Sequence, residues 1–134
     1  MNKAVFMIKR AYNKAIDKVM SATDKIDYAL AQIDEHIVKY GEARTACVKA
    51  GLDEKVKLME DKIRGLDNQR KSLAKKRDEY EAKIKCLEAQ LEAQQALIKV
   101  NGSTGNYNNI ISELDAYIKH IEAELSTAEF IGNL

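Results

Sequence analysis

The feature that most constrains this chain is a heptad run through residues 52–100. Reading alternately four and three residues apart gives Leu52, Val56, Met59, Ile63, Leu66, Arg70, Leu73, Arg77, Tyr80, Ile84, Leu87, Leu91, Gln94 and Ile98. Only a helix places those positions on one side, and a period near 3.5 requires a partner helix winding around it. At ~1.5 Å per residue such a helix is roughly 70 Å long. It cannot bury its own stripe, so other parts of the chain or other copies of it must cover the stripe.

Composition agrees with this reading. The 134 residues include no Pro and no Trp, only six Gly, and 32% charged residues, the make-up of long helices in a chain of one-domain size. The net charge of +1 excludes a polyanion binder acting through bulk charge. The charge is unevenly spread, however. Lys3, Lys9, Arg10, Lys14 and Lys18 face only Asp17 in the first twenty residues, and the last thirty-odd are acidic apart from Lys119. A basic start and an acidic end invite mutual packing or separate partners. Cys47 and Cys86 fall far apart along a folded hairpin, beyond the ~7 Å Cα limit for a disulfide. Isolated thiols suit a reducing compartment. The longest apolar run, from Ala4 to Ile8, is too short to span a membrane. The expected setting is cytoplasmic, peripheral at the inner face of a membrane.

In chain order, residues 1–21 read as an amphipathic helix with Val5, Ile8, Tyr12, Ile16 and Val19 on one side. Ser21, Thr23 and Asp24 offer capping oxygens and therefore a break. The stripe nevertheless continues in phase through Thr23 to Ile26, Leu30, Ile33, Ile37, Tyr40, Arg44 and Cys47, so residues 22–50 form a hairpin helix either separate from the first or continuous with it. The tip is Lys49, Ala50 and Gly51: a helix-ending Gly followed by Asp53 and Glu54, acids suited to the next helix start. Folding there pairs a segment of about 48 residues with a long helix over 52–100, near-equal lengths that suit an antiparallel hairpin, and could bring Gly41 and Gly65 to a close backbone approach. Residues 101–107, rich in Asn and Gly, form a loop. A C-terminal helix over 108–129 carries Ile110, Leu114, Tyr117, Ile121, Leu125 and Ala128. The fold class is all-α: a long antiparallel coiled-coil hairpin with an amphipathic N-terminal helix and a short C-terminal helix, in a single domain.

No catalytic constellation stands out. His36 and His120 are each alone, and no phosphate-binding loop or nucleophile elbow is present. The chain reads as a non-enzyme with no cofactor and no metal site. Arg70, Lys71, Lys75, Lys76 and Arg77 could meet phosphates, but neighbouring acids make a solvated coiled-coil face the stronger reading, against nucleic acid. Arg70 and Arg77 occupy stripe positions, where they must snorkel, face another subunit, or pair with acids such as Asp27 or Asp34. The first helix suits an anionic membrane surface, with five basic residues beside a wide apolar face. The plainer account is that this apolar face packs on the far end of the long helix and on the acidic last helix.

Several stretches resemble, in order, the phage-shock protein A family, which includes the vesicle-inducing protein of plastids and belongs with the ESCRT-III superfamily. Phe6-Met7-Ile8-Lys9-Arg10 through Lys14-Ala15-Ile16-Asp17-Lys18 looks like the family's amphipathic first helix. Ser21-Ala22-Thr23-Asp24 stands at its junction, without the family's proline. Ala46-Cys47-Val48-Lys49-Ala50-Gly51-Leu52-Asp53-Glu54 is similar to its hairpin tip. Ile118-Lys119-His120-Ile121-Glu122-Ala123-Glu124-Leu125, with Ala128 and Glu129, looks like its fourth helix.

The resemblance implies subunits that stack into rings or rods, with the first helix on anionic membrane and the last reaching across neighbours. Membrane binding would then fall to Lys3, Val5, Phe6, Ile8, Lys9, Arg10, Tyr12, Lys14, Ile16 and Lys18. Assembly would fall to Arg70, Arg77, Ile118, Ile121, Glu122, Ala123, Glu124 and Leu125. The leading expectation is a self-assembling, membrane-associated helical scaffold whose partners are itself and an anionic membrane. The alternative is a soluble coiled-coil adaptor binding another protein, and the third reading is a nucleic-acid-binding coiled coil.

Overall fold

A computed structural model describes residues 3–101 and 107–126. They form three helices: α1 (Lys3–Lys49), α2 (Asp53–Asn101) and α3 (Tyr107–Ser126), with no strand among the described residues. The loop residues 102–106 and the positions Ala128 and Glu129 lie outside the described residues.

At Ser21 to Asp24 the chain takes the continuous alternative, and α1 runs through without a break. The Thr23 hydroxyl does not cap a new helix. It donates 3.0 Å back to the carbonyl of Val19, four residues earlier, which satisfies the hydroxyl inside an unbroken helix. Thr23 is itself buried, as the stripe phase requires.

The tip forms where the sequence places it. Gly51 has φ 71°, the left-handed conformation that a Cβ disfavours. The Leu52 amide donates to the Cys47 carbonyl (3.0 Å) and the Gly51 amide to that of Val48 (3.1 Å). This six-to-one plus five-to-two pair is the Schellman arrangement, and it satisfies carbonyls that a helix end otherwise leaves open. Helix α2 restarts at once, with Asp53 and Glu54 in its first turn and the Leu52 carbonyl accepting from Val56.

The chain divides into two compact units. The first comprises residues 3–24, 78–101 and 107–126, so all three helices contribute. Its core is Ile8, Tyr12, Ala15 and Val19 from α1, Tyr80, Leu87 and Ile98 from α2, and Leu114, Ile118, Ile121 and Leu125 from α3. Full burial of each large apolar side chain stabilises by ~1.5–3 kcal/mol. The second unit, Lys25–Arg77, is the antiparallel pair formed by the end of α1 and the start of α2. Its seam is buried at Ile26, Ala29, Ile33 and Leu73. From Ile37 to Leu66, through Tyr40, Cys47, Val56, Met59 and Ile63, it is only half-buried. Two helices alone cover one side of a stripe, and among the described residues no third helix joins them in this unit.

Two expectations need correcting in detail. Gly41 and Gly65 do not mark a close backbone approach: a Cβ added at either meets nothing within 4 Å. Cys47 is half-buried and Cys86 is exposed; both are free thiols. The last helix begins at Tyr107, one residue earlier than the sequence reading.

Candidate functional site

The Lys25–Arg77 unit is held in register by three ion pairs. Arg44 Nη2 lies 3.4 Å from Glu60 Oε2, and Arg70 Nη1 lies 3.7 Å from Asp34 Oδ1. Arg77 meets Asp27 through both Nε and Nη2, the second contact at 3.4 Å. Each pair straddles position 52 evenly, by eight, eighteen and twenty-five residues. That is the signature of an antiparallel register folded about the tip. The two arginines at stripe positions thus find Asp27 and Asp34, two of the partners the sequence offers. Arg70 also bonds Asp67 at 3.0 Å, and Lys71 reaches the same carboxylate at 3.1 Å. The hydrogen bonds from Lys71 and then Arg70 hold the Asp67 carboxyl below the usual carboxylate range. Three of the five basic residues of the stretch, Arg70, Lys71 and Arg77, are thus paired with carboxylates where they stand.

On one side of this helix pair lies an open groove. Asp34, Ile37, Val38 and Arg44 of α1 line it, with Glu60, Ile63, Arg64, Asp67 and Arg70 of α2. Val38 is 59% exposed there. Of this set the sequence singled out Arg70 as a site residue. The signal for Arg44 was present: it is a charged residue on the apolar stripe, and Glu60 stands at the mirrored position across Leu52.

In the three-helix unit the residues expected at a membrane separate into two groups. Ile8, Tyr12 and Ile16 are buried, Ile8 completely, and Val5 is half-buried. Lys18 is tied to Glu122 of α3 at 3.1 Å. Phe6 is 52% exposed and lines a shallow groove with Lys9, Arg10, Lys14 and Asp17. Lys3 is also exposed. The basic start and acidic end meet in this packing, as the charge distribution invites.

The residues expected to contact neighbouring subunits through the last helix are used within the chain. Ile118, Ile121 and Leu125 are buried. Glu122 holds Lys18, and Ala123 is exposed. Glu124 accepts from the Tyr80 hydroxyl at 2.5 Å and sits 2.8 Å from His120 Nε2. Lys83 Nζ lies 4.6 Å from the Tyr117 ring centroid. Burial, then the Glu124 hydrogen bond, pushes the Tyr80 phenol well above its ordinary value. Burial, then the charge of Glu124, pushes Tyr117 up to about 12. Tyr12 is raised by burial and, less, by Glu113.

Among the described residues there is no cluster of three His, Cys, Asp or Glu that could hold a metal ion. No helix among them is long and apolar enough to cross a membrane. No family model, curated protein or solved structure matches the chain.

Proposed function

We propose that the chain is a self-assembling helical scaffold whose assembly element is the Lys25–Arg77 helix pair. The observation that carries this reading is the half-buried seam from Ile37 to Leu66, set against the closed core of the three-helix unit. A stripe that remains half in water gains ~25 cal/mol for each Å² that an added helix covers. The groove lined by Val38, Ile37 and Ile63 is open to such cover. Sedimentation velocity over a range of concentrations tests it. Species heavier than the 15.1 kDa chain are expected, with Val38→Glu reverting them to monomer. A wild-type chain that stays monomeric at every concentration would sink the proposal and leave the adaptor reading, in which another protein fills the seam.

A second role, contact with an anionic membrane, is supported by Phe6 standing exposed beside Lys9, Arg10 and Lys14. In this reading the outer side of the first helix makes the contact, while Ile8, Tyr12 and Ile16 remain in the core. Flotation with anionic vesicles should carry the wild type and leave Phe6→Asp behind. Equal flotation of both, or of neither, removes Phe6 from the proposal. Negative-stain microscopy of the same mixtures reads out whether the vesicles are coated or deformed.

A further inference from the structure

The charges bordering the groove form a checkerboard. On α1, Asp34 and Arg44 stand at its two ends, and on α2, Arg70 and Glu60 stand opposite them. Going around the border the signs alternate: Arg44 positive, Glu60 negative, Arg70 positive, Asp34 negative. The four sum to zero, as do Arg64 and Asp67 beside them. A surface of uniform sign, whether a polyanion or a membrane, gains nothing from such a border.

A second copy gains at every corner. Turning the pattern over about a two-fold axis lying in the face and parallel to the helices sets Arg44 against the other copy's Glu60, and Asp34 against its Arg70. Turning it about the in-face axis perpendicular to the helices sets Arg44 against the other copy's Asp34, and Glu60 against its Arg70. Both operations place opposite charges in contact at all four corners, with Ile37, Val38 and Ile63 between them. The face of the whole helix pair approaches the area that a stable dimer needs. Two helices of ~25 residues, at ~1.5 Å rise and ~10 Å width each, present a face on the order of 700 Å². Each partner of a stable dimer contributes about 800 Å².

We infer that the occupant of this groove is a second copy of this chain, docked face to face about a two-fold axis, and that the checkerboard selects it. The inference rests on the self-assembly reading and sharpens it: an interface of this kind is self-complementary and closes after two chains, instead of growing into a filament.

The test exchanges all four signs at once: Asp34→Arg, Arg70→Asp, Arg44→Glu and Glu60→Arg. Both pairs across the groove survive with reversed polarity, and the variant is self-complementary under either axis. A mixed pair with wild type meets like charges at every corner. Native mass spectrometry of isotope-labelled wild type mixed with unlabelled variant should show two homodimers, with mixed pairs below about a tenth of their statistical share. Labelled and unlabelled wild type should mix fully.

If the fourfold variant does not fold, Arg44→Glu with Glu60→Arg serves. About the axis parallel to the helices this variant still pairs with itself, and its mixed pair with wild type meets two like-charged corners and should likewise be depleted; about the perpendicular axis its own pair meets like charges at all four corners, so its homodimer should be lost. Statistical mixing of the folded fourfold variant with wild type, statistical mixing of a double variant that keeps its own homodimer, or open-ended growth of the wild type overturns the two-fold pairing alone. A wild type that is monomeric throughout overturns the self-assembly reading as well.

Discussion

Truncating one leucine in each unit should have unequal consequences. Leu87 is 2% exposed in the three-helix core, whereas Leu66 is a half-buried seam residue of the helix pair. Leu87→Ala loses the full transfer free energy of the deleted carbons and leaves a space enclosed by three helices. The expected cost is ~3 kcal/mol, within the usual ~2–5 kcal/mol for buried leucines. Leu66→Ala loses about half the transfer term and opens onto solvent, so no cavity term is added; the expected cost is ~1 kcal/mol. The difference of ~2 kcal/mol is on the order of a thirtyfold change in the folded-to-unfolded ratio. Urea titration followed by circular dichroism, at a protein concentration low enough to keep the chain monomeric, reads both variants. At an m-value of ~1.5 kcal/mol per molar, the midpoints should fall by roughly 2 M and 0.7 M. Raising the protein concentration should increase the Leu66→Ala penalty, because association covers the seam. Equal penalties in the monomer would refute the claim that the two units differ in how completely their stripes are covered.

The tip and the helix interiors respond oppositely to added methyl groups. Gly51→Ala forces a Cβ into a φ of 71° and should lower stability by about 1–2 kcal/mol, whereas Gly65→Ala, whose Cβ meets nothing within 4 Å, should raise it by up to ~1 kcal/mol. Thermal melts of the two variants test the opposite signs. Tyr80 and Tyr117 have folded-state values raised above the ordinary 10, so the stability they contribute is complete below that pH. It is lost as pH rises from about 10 towards and beyond about 12. Urea midpoints at roughly pH 9 and 11 should fall for the wild type and fall less for Tyr80→Phe with Tyr117→Phe, which have no phenol to ionise.

Much of this architecture is legible in the sequence because heptads and tip chemistry are local signals. Gly51 between a stripe and two acids marks the turn. Once the turn is fixed, Asp27, Asp34 and Arg44 fall opposite Arg77, Arg70 and Glu60 by counting outward. The break at Ser21 to Asp24 is not decidable by inspection, because a threonine hydroxyl serves equally as a cap or as a donor to the carbonyl one turn back, and Thr23 does the latter. Nor does periodicity distinguish lipid from protein as the cover for Ile8, Tyr12 and Ile16, since both are apolar. Their burial in the three-helix unit depends on α3, whose Leu114, Ile118, Ile121 and Leu125 stripe is a separate segment beyond a loop. The uneven cover of the long stripe has the same origin. Its apolar positions continue across both units, but among the described residues only one of them contains a third helix.

The way the two units divide the chain also sets the order in which they can form. Lys25–Arg77 is one continuous stretch closed by a tight turn, so its contacts can be added stepwise outward from the tip, from Arg44–Glu60, 16 residues apart, to Asp27–Arg77, 50 apart. The three-helix unit is discontinuous, and Asp24 and Asp78 come together only after some fifty intervening residues are brought back. Closing a flexible loop of that length costs roughly 3 kcal/mol of chain entropy, a cost largely met in advance once the helix pair exists. The less buried unit is thus expected to form first, which would expose the half-wet seam from the earliest stage of folding. On a ribosome, two nascent chains have this surface available before the three-helix core of either is complete.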